Sequence, residues 1–361
     1  MPVQRTVWRI PRAGSLARLA RVKESLPDPA PGQARLRVEA IGLNFADILA
    51  CLGLYSATPS GPFIPGLECA GTIEAVGPGT RLVAGDRVCV LTRFGAYADR
   101  LNFDQDYAIP LPAGWSAAEA AAWPVQGMTA WYGLVERARV AAGDTVLVQS
   151  AAGGVGLQAL GILESVGARV IATVGREDKR RFLETHYGLS PESIIVREPG
   201  RFQAQLDQAL AAVGATGLDV VFDAVLGPYF RPAFGKLNPE GRFVLFGAAD
   251  FMPAGRRPNY PSLLWQYLRR PRLDPLAMIS ANQSFIGFNL IWLWDEVGRM
   301  PAAIEGLIRH AGGRKPYVGQ RLPFDRAPEA MQLLQSGSTV GKVILEVQEG
   351  DIPKKGTVPF F

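Results

Sequence analysis

Cysteine and histidine are scarce in this sequence, which holds three cysteines and two histidines among 361 residues. None of Cys51, Cys69 and Cys89 belongs to a CxxC pair or lies near a histidine. A disulfide framework and a cysteine zinc site are therefore both poorly supported. Since no disulfide is expected, we predict a reducing, cytoplasmic location.

Long apolar segments are absent as well. The first ten residues lack the apolar run of a signal peptide, so we predict no targeting segment. The longest apolar stretch, around 285–294, is about half as long as a membrane span, so we predict no transmembrane helix. The formal net charge of +5 comes from 38 basic and 33 acidic residues scattered along the chain. That distribution gives no reason to expect nucleic acid as a partner.

Apolar residues make up 48% of the chain, enough for cores in about two domains. Roughly the first third consists of short β segments separated by Gly and Pro, among them 69–76 and 95–99. Apolar strands then alternate with helices, which predicts a doubly wound parallel sheet. We therefore predict an α/β protein. Its β-rich domain comprises 1–127 and 317–361, and its parallel-sheet domain comprises 128–316.

A glycine-rich segment lies directly between an apolar strand and a helix. It reads Ala151-Ala152-Gly153-Gly154-Val155-Gly156. At such a place Gly153 lets the backbone approach a pyrophosphate, Gly156 lets helix and strand pack closely, and the helix start presents free N–H groups to the anion. We predict that residues Ala152 to Gly156 bind a dinucleotide. Because Ala151 replaces the first glycine of the usual GxGxxG, a plain structural turn is the alternative.

The end of the next strand indicates which dinucleotide is bound. Gly175 and Arg176 follow that strand, and no carboxylate is present to accept hydrogen bonds from the ribose 2′-hydroxyl of NAD. Arg176 and Lys179 suit a 2′-phosphate instead, and Arg197 is a further candidate for it. We therefore predict NADPH as the cofactor. The alternative is that Arg176, Lys179 and Arg180 form the solvated start of a helix whose neighbouring residues are acidic.

Several short motifs occur in one order along the chain, at 42–47, 65–71, 76–79, 84–88, 128–131, 150–156 and 340–343. In this order they resemble the medium-chain dehydrogenase/reductase superfamily, and within it the zinc-free quinone oxidoreductase branch, to about Val347. The chain is most similar there to the vesicle amine transport protein homologues, through Gly53-Leu54-Tyr55 and the stretch 281–288. The resemblance implies a GroES-like β-rich catalytic domain, a Rossmann domain, and an active site in the cleft between them.

Zinc-dependent alcohol dehydrogenases of this superfamily bind the metal through a cysteine, the histidine of a GHE motif, and a later cysteine or acid. Here Leu67 stands in the place of that histidine, and the segment Asn44 to Asp47 replaces the first cysteine region. A tetrahedral site of nitrogen and sulfur ligands cannot be assembled from these residues. We therefore expect no metal, and hydride delivery to a conjugated acceptor in place of alcohol oxidation.

The resemblance also implies which residues lie near the nicotinamide. Asn44 and Thr129 approach the cofactor, and Lys342 closes over its pyrophosphate side. The other implied cofactor contacts are Phe246, Gly247, Ala248 and Asn289. We predict Asn44, Asp47 and Tyr55 as the catalytic residues. Helix capping is the alternative for Asn44 and Asp47, and Tyr55 has the alternative of a loop aromatic without a role.

The predicted function is hydride transfer from NADPH to a small-molecule quinone or α,β-unsaturated carbonyl. Solvent is the expected proton source, and Tyr55 is the best candidate among the side chains. The alternative is a non-catalytic NADPH-binding partner protein, as the similarity to the vesicle homologues allows. The sequence does not identify the acceptor.

An apolar segment, 284–290, is expected to form the last strand at the edge of the parallel sheet. Pairing of two such edges predicts a homodimer. The preceding insertion, 252–275, interleaves arginines with tyrosine and tryptophan. The alternative to the dimer is that this insertion covers the edge of the parallel sheet within one chain. We expect an ordered cover over an interface or active site, and we do not expect membrane contact.

Overall fold

The computed structural model describes residues 2–294, 296–311 and 314–348. The β-strands are β1 (Val3–Arg9), β2 (Ala20–Leu26), β3 (Gln33–Gly42), β4 (Glu68–Val76), β5 (Arg87–Leu91), β6 (Arg100–Asp104), β7 (Ala108–Pro110), β8 (Thr145–Val148), β9 (Arg169–Val174), β10 (Ile194–Val196), β11 (Leu218–Asp223), β12 (Leu237–Leu245), β13 (Ser284–Gly287), β14 (Val318–Pro323) and β15 (Lys342–Glu346). The α-helices are α1 (Phe45–Leu52), α2 (Ala117–Ala121), α3 (Pro124–Trp131), α4 (Gly154–Val166), α5 (Glu177–Tyr187), α6 (Phe202–Ala212), α7 (Phe230–Phe234), α8 (Tyr260–Arg269), α9 (Pro275–Ala281), α10 (Met300–Ala311) and α11 (Ala327–Gln335). Over these described ranges, no helix has both the length and the apolar content needed to cross a membrane.

Among the described residues, the first compact unit comprises 2–125, the short segment 254–258, and 316–348. Its described strands form an antiparallel pair, β1 with β2, and a seven-stranded sheet in the order β14-β15-β3-β4-β5-β7, with β6 also paired to β3. Strands β14 and β15 run parallel, and the other pairs of this sheet are antiparallel. Strands from both ends of the chain thus meet in one sheet.

The second compact unit comprises residues 126–253 and 259–315. Its described strands form a six-stranded sheet in the order β10-β9-β8-β11-β12-β13, and every pair is parallel. All four residues of β8 are buried, as expected for a strand covered on both faces. On one face, Leu147 and Phe243 of the sheet belong to the same core as Phe202 of α6 and Phe230 of α7. The strand order reverses between β8 and β11, where open α/β sheets bind ligands beyond the carboxyl ends of their strands.

The predicted strand at 95–99 is wrong. Within this segment the structure has only one isolated bridge, between Ala98 and Val7, and β6 begins afterwards at Arg100. Four consecutive residues, 96–99, are buried, whereas the side chains of a half-buried strand alternate between core and solvent. The segment is therefore a compact loop that buries its side chains without extended geometry.

The last strand of the parallel sheet is shorter than predicted. Strand β13 ends at Gly287, and the next ordered element is a 3₁₀ turn at Leu290–Leu293. Phe288 carries on the apolar pattern of the strand, but its ring packs against Tyr132 at a centroid distance of 5.1 Å. The apolar character of 288–290 therefore reflects packing within the second unit and not a longer sheet edge.

Candidate cofactor site and buried polar cluster

The carboxyl ends of the parallel strands lie along one edge of the second unit's sheet, because all six strands point the same way. Most predicted cofactor residues belong to the segments that follow these strand ends: the glycine-rich segment after β8, Gly175 and Arg176 after β9, Arg197 after β10, Phe246, Gly247 and Ala248 after β12, and Asn289 after β13. The fold therefore gathers at this edge residues that are far apart in the sequence.

The glycine-rich segment forms a tight turn into helix α4, with Gly153 as the N-cap residue. A Cβ atom added to Gly154 would lie 1.8 Å from Oε1 of Gln126, so a larger residue here would require the Gln126 side chain to move. A Cβ added to Gly153 would meet its nearest neighbour at 3.3 Å. The approach of the backbone at Gly153 to a pyrophosphate stays a prediction. Gly156 behaves as predicted, since its Cβ would lie 2.5 Å from the carbonyl oxygen of Ala151.

Arg197 lies at the same edge, after β10. Its Nη1 donates a hydrogen bond of 2.7 Å to Oγ1 of Thr173, on β9. Its guanidinium lies over the ring of Tyr229, 5.3 Å from the centroid. A Cβ on Gly175 would lie 3.6 Å from Nη2 of Arg197, so the guanidinium borders the turn after β9. Neighbouring strands thus fix the position of this cation.

Lys179, in the first turn of α5, is the second cation at this place. Burial and the nearby positive charges of Arg176 and Arg197 lower the pKa of Lys179 from 10.5 to about 8, although Asp178 opposes the shift. Burial also lowers the pKa of Arg197. We refer to Lys179 and Arg197 as the cationic pair. A bound phosphate would add negative charge between cations that disfavour each other, and would stabilise their charged forms.

Arg176 is held differently from the cationic pair. Its side chain is exposed, and its Nε and Nη2 donate hydrogen bonds of 3.0 and 2.5 Å to the carboxylate of Asp178. Arg180 pairs with Glu177 and Glu184 along the same helix. These are the contacts that the solvated-helix alternative predicts for Arg176 and Arg180. The assignment of Arg176 to the 2′-phosphate stays a prediction, as do those of Lys179 and Arg197.

The predicted cofactor contacts at Thr129, at 246–248 and at Asn289 occupy separate elements of the second unit. Phe246 stacks on Phe222 of β11 at a centroid distance of 4.2 Å. A Cβ on Gly247 would lie 3.1 Å from the carbonyl oxygen of Ala224. Asn289 is the N-cap residue of the 3₁₀ turn after β13, and Thr129 is a nearly buried residue of α3. Their positions leave the proposed cofactor contacts as predictions.

The first unit contains a fully buried set of polar side chains, Asn44, Asp47, Glu68, Tyr97 and Lys342, which we call the buried cluster. Nζ of Lys342 donates to Oε1 of Glu68 at 2.5 Å and to Oδ1 of Asn44 at 2.8 Å. Nδ2 of Asn44 donates to the same Glu68 oxygen at 2.9 Å. The other oxygen of Glu68 accepts the backbone N–H of Val125 at the start of α3, at 2.8 Å. Both carboxylate oxygens of Glu68 and the Nζ of Lys342 therefore have hydrogen-bond partners.

Lys342 was predicted to close over the cofactor's pyrophosphate, and the structure corrects this expectation. The residue is 1% exposed, and its ammonium is held by Glu68 and Asn44. A Cβ at Gly42 would lie 2.1 Å from the carbonyl oxygen of Ala121 and 2.8 Å from Cε of Lys342. The glycine of the Gly42-Leu43-Asn44 motif thus leaves room for the lysine. Lys342 stabilises the buried cluster in this structure.

Asp47 is fully buried in α1 and was predicted to be catalytic. Its Oδ2 accepts the backbone N–H of Asn44 at 2.8 Å and the hydroxyl of Tyr97 at 3.3 Å. Its Oδ1 is buried without a hydrogen-bond partner among the described residues. Burial raises the pKa of Asp47 from 3.8 to about 7, although the backbone hydrogen bond and Lys342 oppose the shift. With no exposed surface, Asp47 is a capping and positioning residue and does not touch a substrate.

The helix-capping alternative therefore describes Asp47 well. Asn44 is the N-cap residue of α1, yet its side-chain oxygen and nitrogen also hold Lys342 and Glu68. Tyr55, the third predicted catalytic residue, is half-buried in the turn after α1, where its carbonyl oxygen accepts the N–H and hydroxyl of Thr58. The structure joins Asn44 to Asp47 and leaves the role of Tyr55 as a prediction.

The residues do not fit a zinc ion. Among the described residues, no group of three or more His, Cys, Asp or Glu could hold a metal. Leu67 is buried where a histidine ligand would be required, and Glu68 beside it is paired with Lys342. The three cysteines are buried, and burial raises the pKa of each thiol. We derive no chemistry through a metal for this chain.

Sequence reasoning missed three residues of these sites. Glu68 and Tyr97 belong to the buried cluster, and Tyr229 supplies the ring beneath Arg197. A signal for Glu68 was present, because an acid in the apolar stretch Pro65–Gly71 needs a buried partner. Tyr97 and Tyr229 gave no such signal, since aromatic residues occur on ordinary loops.

The chain is similar to known proteins along most of its length. Two family models match the chain, the alcohol dehydrogenase GroES-like domain over residues 30–113 and a zinc-binding dehydrogenase domain over residues 196–345. The human synaptic vesicle membrane protein VAT-1 homolog is 31% identical over 322 residues, which cover 88% of this chain and 80% of the human protein. The zebrafish homolog is 30% identical, and the match spans 91% of this chain and 66% of that protein.

Solved structures of oxidoreductases are also similar to this chain. The quinone oxidoreductase from Thermus thermophilus, solved also with NADPH, has a TM-score of 0.72 and 31% identity, covering 94% of this chain and 99% of the other. The CurK enoyl reductase has a TM-score of 0.77 and 26% identity, covering 96% and 100%. The GroES-like and Rossmann fold class is thereby confirmed. The chain belongs to the medium-chain dehydrogenase/reductase superfamily, an oxidoreductase family, in its quinone oxidoreductase branch close to the VAT-1 homologues.

Proposed function

We propose that this protein is an NADPH-dependent reductase that transfers a hydride to a quinone or an α,β-unsaturated carbonyl without a metal. The observation that carries the proposal is the cationic pair beside a dinucleotide loop at the carboxyl edge of a parallel sheet. A 2′-phosphate distinguishes NADPH from NADH, and a site with two cations and no carboxylate at the strand tip favours the phosphorylated form.

NADPH, when bound, supplies the hydride. The chain's own contribution is to hold and orient the dinucleotide. We assign the 2′-phosphate to Lys179 and Arg197, and the pyrophosphate to the backbone N–H groups at the start of α4. Gly154 keeps that turn free of side chains. Gly175, Phe246, Gly247, Ala248, Asn289 and Thr129 remain proposed cofactor contacts.

The proton balance of the reaction requires a donor. Hydride addition to the β-carbon of an enone leaves an enolate, and addition to a quinone leaves a phenolate, so each product takes a proton. Asp47 is too deeply buried to supply it. We propose solvent as the proton source, with Tyr55 as the side chain to test. Asn44 and Lys342 stabilise the buried cluster and are not assigned a chemical step.

The similar proteins support two different functions. A quinone oxidoreductase with NADPH and an enoyl reductase favour catalysis on conjugated acceptors. The vesicle membrane protein homologues favour the second candidate, an NADPH-binding partner protein without turnover. The absence of an assigned general acid is compatible with either candidate, so turnover must be measured directly.

The test follows NADPH absorbance with a panel of 1,4-quinones and linear and cyclic enones. We expect NADPH-dependent consumption with at least one acceptor, activity that survives chelators, and slower consumption with NADH. Arg197→Met should raise the KM for NADPH, and the matched exposed variant Arg201→Met should not. Tight NADPH binding without turnover across the panel would establish the partner-protein function instead.

We also propose a homodimer that forms through the β13 edge of the second unit. Among the described strands, β13 pairs with β12 alone, and the nearby Trp292 is 55% exposed. Phe288 packs inward on Phe246 and Tyr132, so Trp292→Glu is a better probe of the edge than Phe288→Lys. Light scattering should give twice the 38.9 kDa chain mass, and half of that value for Trp292→Glu. A monomeric parent protein would refute the dimer. The cytoplasmic location stays a prediction.

A further inference from the structure

Gln126, in the first turn of α3, has a polar side chain to which no role has been assigned. It is 9% exposed, and neither polar atom of its amide has a hydrogen-bond partner among the described residues. Such an amide is unusual, because burial removes most of the water that would otherwise satisfy it. Its polar atoms are not fully enclosed, whereas Nε2 of Gln149 is enclosed without a partner in the part of the chain that the structure describes. A ligand can therefore reach the amide of Gln126.

The amide of Gln126 lies against the glycine-rich turn. Its Oε1, Cδ and Nε2 atoms lie 1.8, 2.2 and 2.3 Å from the position of a Cβ atom built on Gly154. Because the three distances are similar, the whole amide group occupies the space that a side chain at position 154 would take. Gly154 is the first residue of α4. The Gln126 amide therefore lies at the helix start to which we assign the pyrophosphate.

The same end of α4 presents backbone donors. The first hydrogen bond of this helix runs from the N–H of Leu157 to the carbonyl oxygen of Gly153, at 2.9 Å. The N–H groups of the three residues between them precede that bond, as they do at any helix start. The helix has thirteen residues, and its first turn carries no acidic side chain. The helix start and the Gln126 amide are thus two independent features that indicate an anion at this turn.

We propose that Gln126 binds the pyrophosphate of the dinucleotide, with Nε2 donating a hydrogen bond to a phosphate oxygen. A pyrophosphate only accepts hydrogen bonds, so it uses the nitrogen end of the amide. The negative charge of the ligand is then stabilised by this donor together with the backbone N–H groups and the dipole of α4. The assignment rests on the dinucleotide site of the proposed function, but it is independent of hydride transfer.

Gln149 shows the contacts of a structural glutamine in the same unit. It is 1% exposed, and its Oε1 accepts the hydroxyl of Thr173 at 2.6 Å and Nη1 of Arg197 at 3.4 Å. The oxygen of this amide is therefore part of a network among the strand ends. Gln126 has no such contact within the described ranges. An apolar side chain of the same shape would fill the space beside Gly154 equally well, so packing alone does not account for an amide there.

The experiment compares nucleotide binding by the parent protein and by Gln126→Met, which keeps the shape of the side chain and removes the amide. Calorimetric titration gives the Kd for NADPH and NADH, and competition with NADPH gives that for adenosine 2′-monophosphate, which has no pyrophosphate. We expect the Kd for NADPH and NADH to rise by the same factor, about tenfold, because both contain the pyrophosphate. The affinity for adenosine 2′-monophosphate should stay within about twofold. Arg197→Met should give the opposite pattern, with only NADH unaffected.

A second variant, Gln126→Glu, tests which end of the amide is used. A carboxylate at this position lacks the donor and repels the pyrophosphate, so at pH 8 both NADPH and NADH should bind more weakly than they bind Gln126→Met. The matched control is Gln208→Glu, which adds the same charge at an exposed position of α6. We expect it to change either Kd by less than about twofold, because solvent and salt screen its charge.

Three results would overturn the proposal. Parent-like affinity of Gln126→Met for both dinucleotides would leave the side chain with a packing role. Parent-like affinity of Gln126→Glu would assign the carbonyl end of the amide to a ribose hydroxyl. Loss of adenosine 2′-monophosphate binding in Gln126→Met would show that the side chain maintains the fold of the loop. If the parent protein consumes NADPH while any of these results is found, the proposed function stands and only the role of Gln126 is refuted. A parent protein that binds neither dinucleotide would refute both.

Discussion

Lys342 is buried and Lys179 is half-buried, and the two units give them opposite electrostatic surroundings. In the first unit, the ammonium of Lys342 lies 2.5 Å from a carboxylate oxygen of Glu68, and Asn44 completes its contacts. In the second unit, burial and two neighbouring guanidinium groups lower the pKa of Lys179 to about 8. The positive charge of Lys342 is balanced by the carboxylate of Glu68. Lys179 has excess positive charge around it, which is the condition expected of an anion site before its ligand binds.

We infer that a cation shielded from solvent can bind an anionic ligand only when its protein neighbours do not already neutralise its charge. Glu68 and Lys342 satisfy each other, so removal of one partner should affect folding. Arg197 lowers the pKa of Lys179, and burial lowers the pKa of Arg197, so removal of either should affect ligand binding more than folding. The predictions below test this distinction, beginning with the largest expected effect.

Lys342→Met should be strongly destabilising, because it leaves the Glu68 carboxylate buried without its cation. We expect a loss of about 3 kcal/mol in the free energy of unfolding, measured by denaturant titration. The double variant Glu68→Gln with Lys342→Met should recover part of this loss, since the unpaired charge is gone. The matched control is Lys236→Met, which breaks the half-exposed pair with Asp207 and should cost less than about 1 kcal/mol. Equal effects of the two lysine substitutions would contradict the account.

Arg197→Met and Lys179→Met should each weaken NADPH binding at least tenfold, or about 1.4 kcal/mol, by calorimetric titration. NADH affinity should stay nearly unchanged, because NADH lacks the 2′-phosphate. The parent protein should bind NADPH at least tenfold more tightly than NADH. Equal losses of affinity for NADPH and NADH would show that the cationic pair maintains the fold and does not bind the 2′-phosphate.

Much of the parallel-sheet unit could be predicted from the sequence. The strands Thr145–Val148, Arg169–Val174 and Ile194–Val196 are short apolar runs bounded by polar residues and turns, and this pattern predicts buried parallel strands. The β-rich unit was harder, since strands β1 and β2 were not predicted and 95–99 was predicted wrongly. Its packing depends on contacts between distant segments that local patterns do not record.

The cationic pair and the buried cluster also differ in how far they could be predicted from the sequence. Arg197 was predicted because its place after the third parallel strand puts it at the ligand-binding edge. The partner of Lys342 was not predicted, because Glu68 and Lys342 are separated by 274 positions and meet only when β15 pairs with β3. Local sequence thus indicates residues at strand ends, whereas the pairing of buried charges is set by tertiary structure.

Asp47 provides a pH test of the buried cluster. Its folded pKa of about 7 lies above its ordinary value of 3.8, so the folded chain retains a proton that the unfolded chain has lost. Stability from this group is therefore complete below about pH 4 and is lost as pH rises toward 7 and beyond. Between pH 6 and 8 the parent protein should lose about 1 kcal/mol more unfolding free energy than Asp47→Asn, by denaturant titration. Identical pH profiles would contradict the assignment.

Arg176→Ala should have the smallest effect. Its guanidinium is exposed and already holds Asp178, so we expect NADPH affinity to fall by less than about threefold. The same titration used for Arg197→Met provides the comparison. A tenfold or larger loss of NADPH affinity in Arg176→Ala would assign the phosphate contact to Arg176 and would contradict its assignment to the cationic pair.

The most direct test of the central claim is the affinity for NADPH as a function of pH, with NADH as the reference. Phosphate binding should raise the pKa of Lys179 from about 8, so the complex takes up a proton when it forms above that pH. We predict that the Kd for NADPH stays nearly constant between pH 7 and 8 and then rises with pH, while the Kd for NADH does not follow it. Lys179→Met should remove the difference in pH dependence. Parallel pH profiles for NADPH and NADH in the parent protein would contradict the claim that the cationic pair binds the 2′-phosphate.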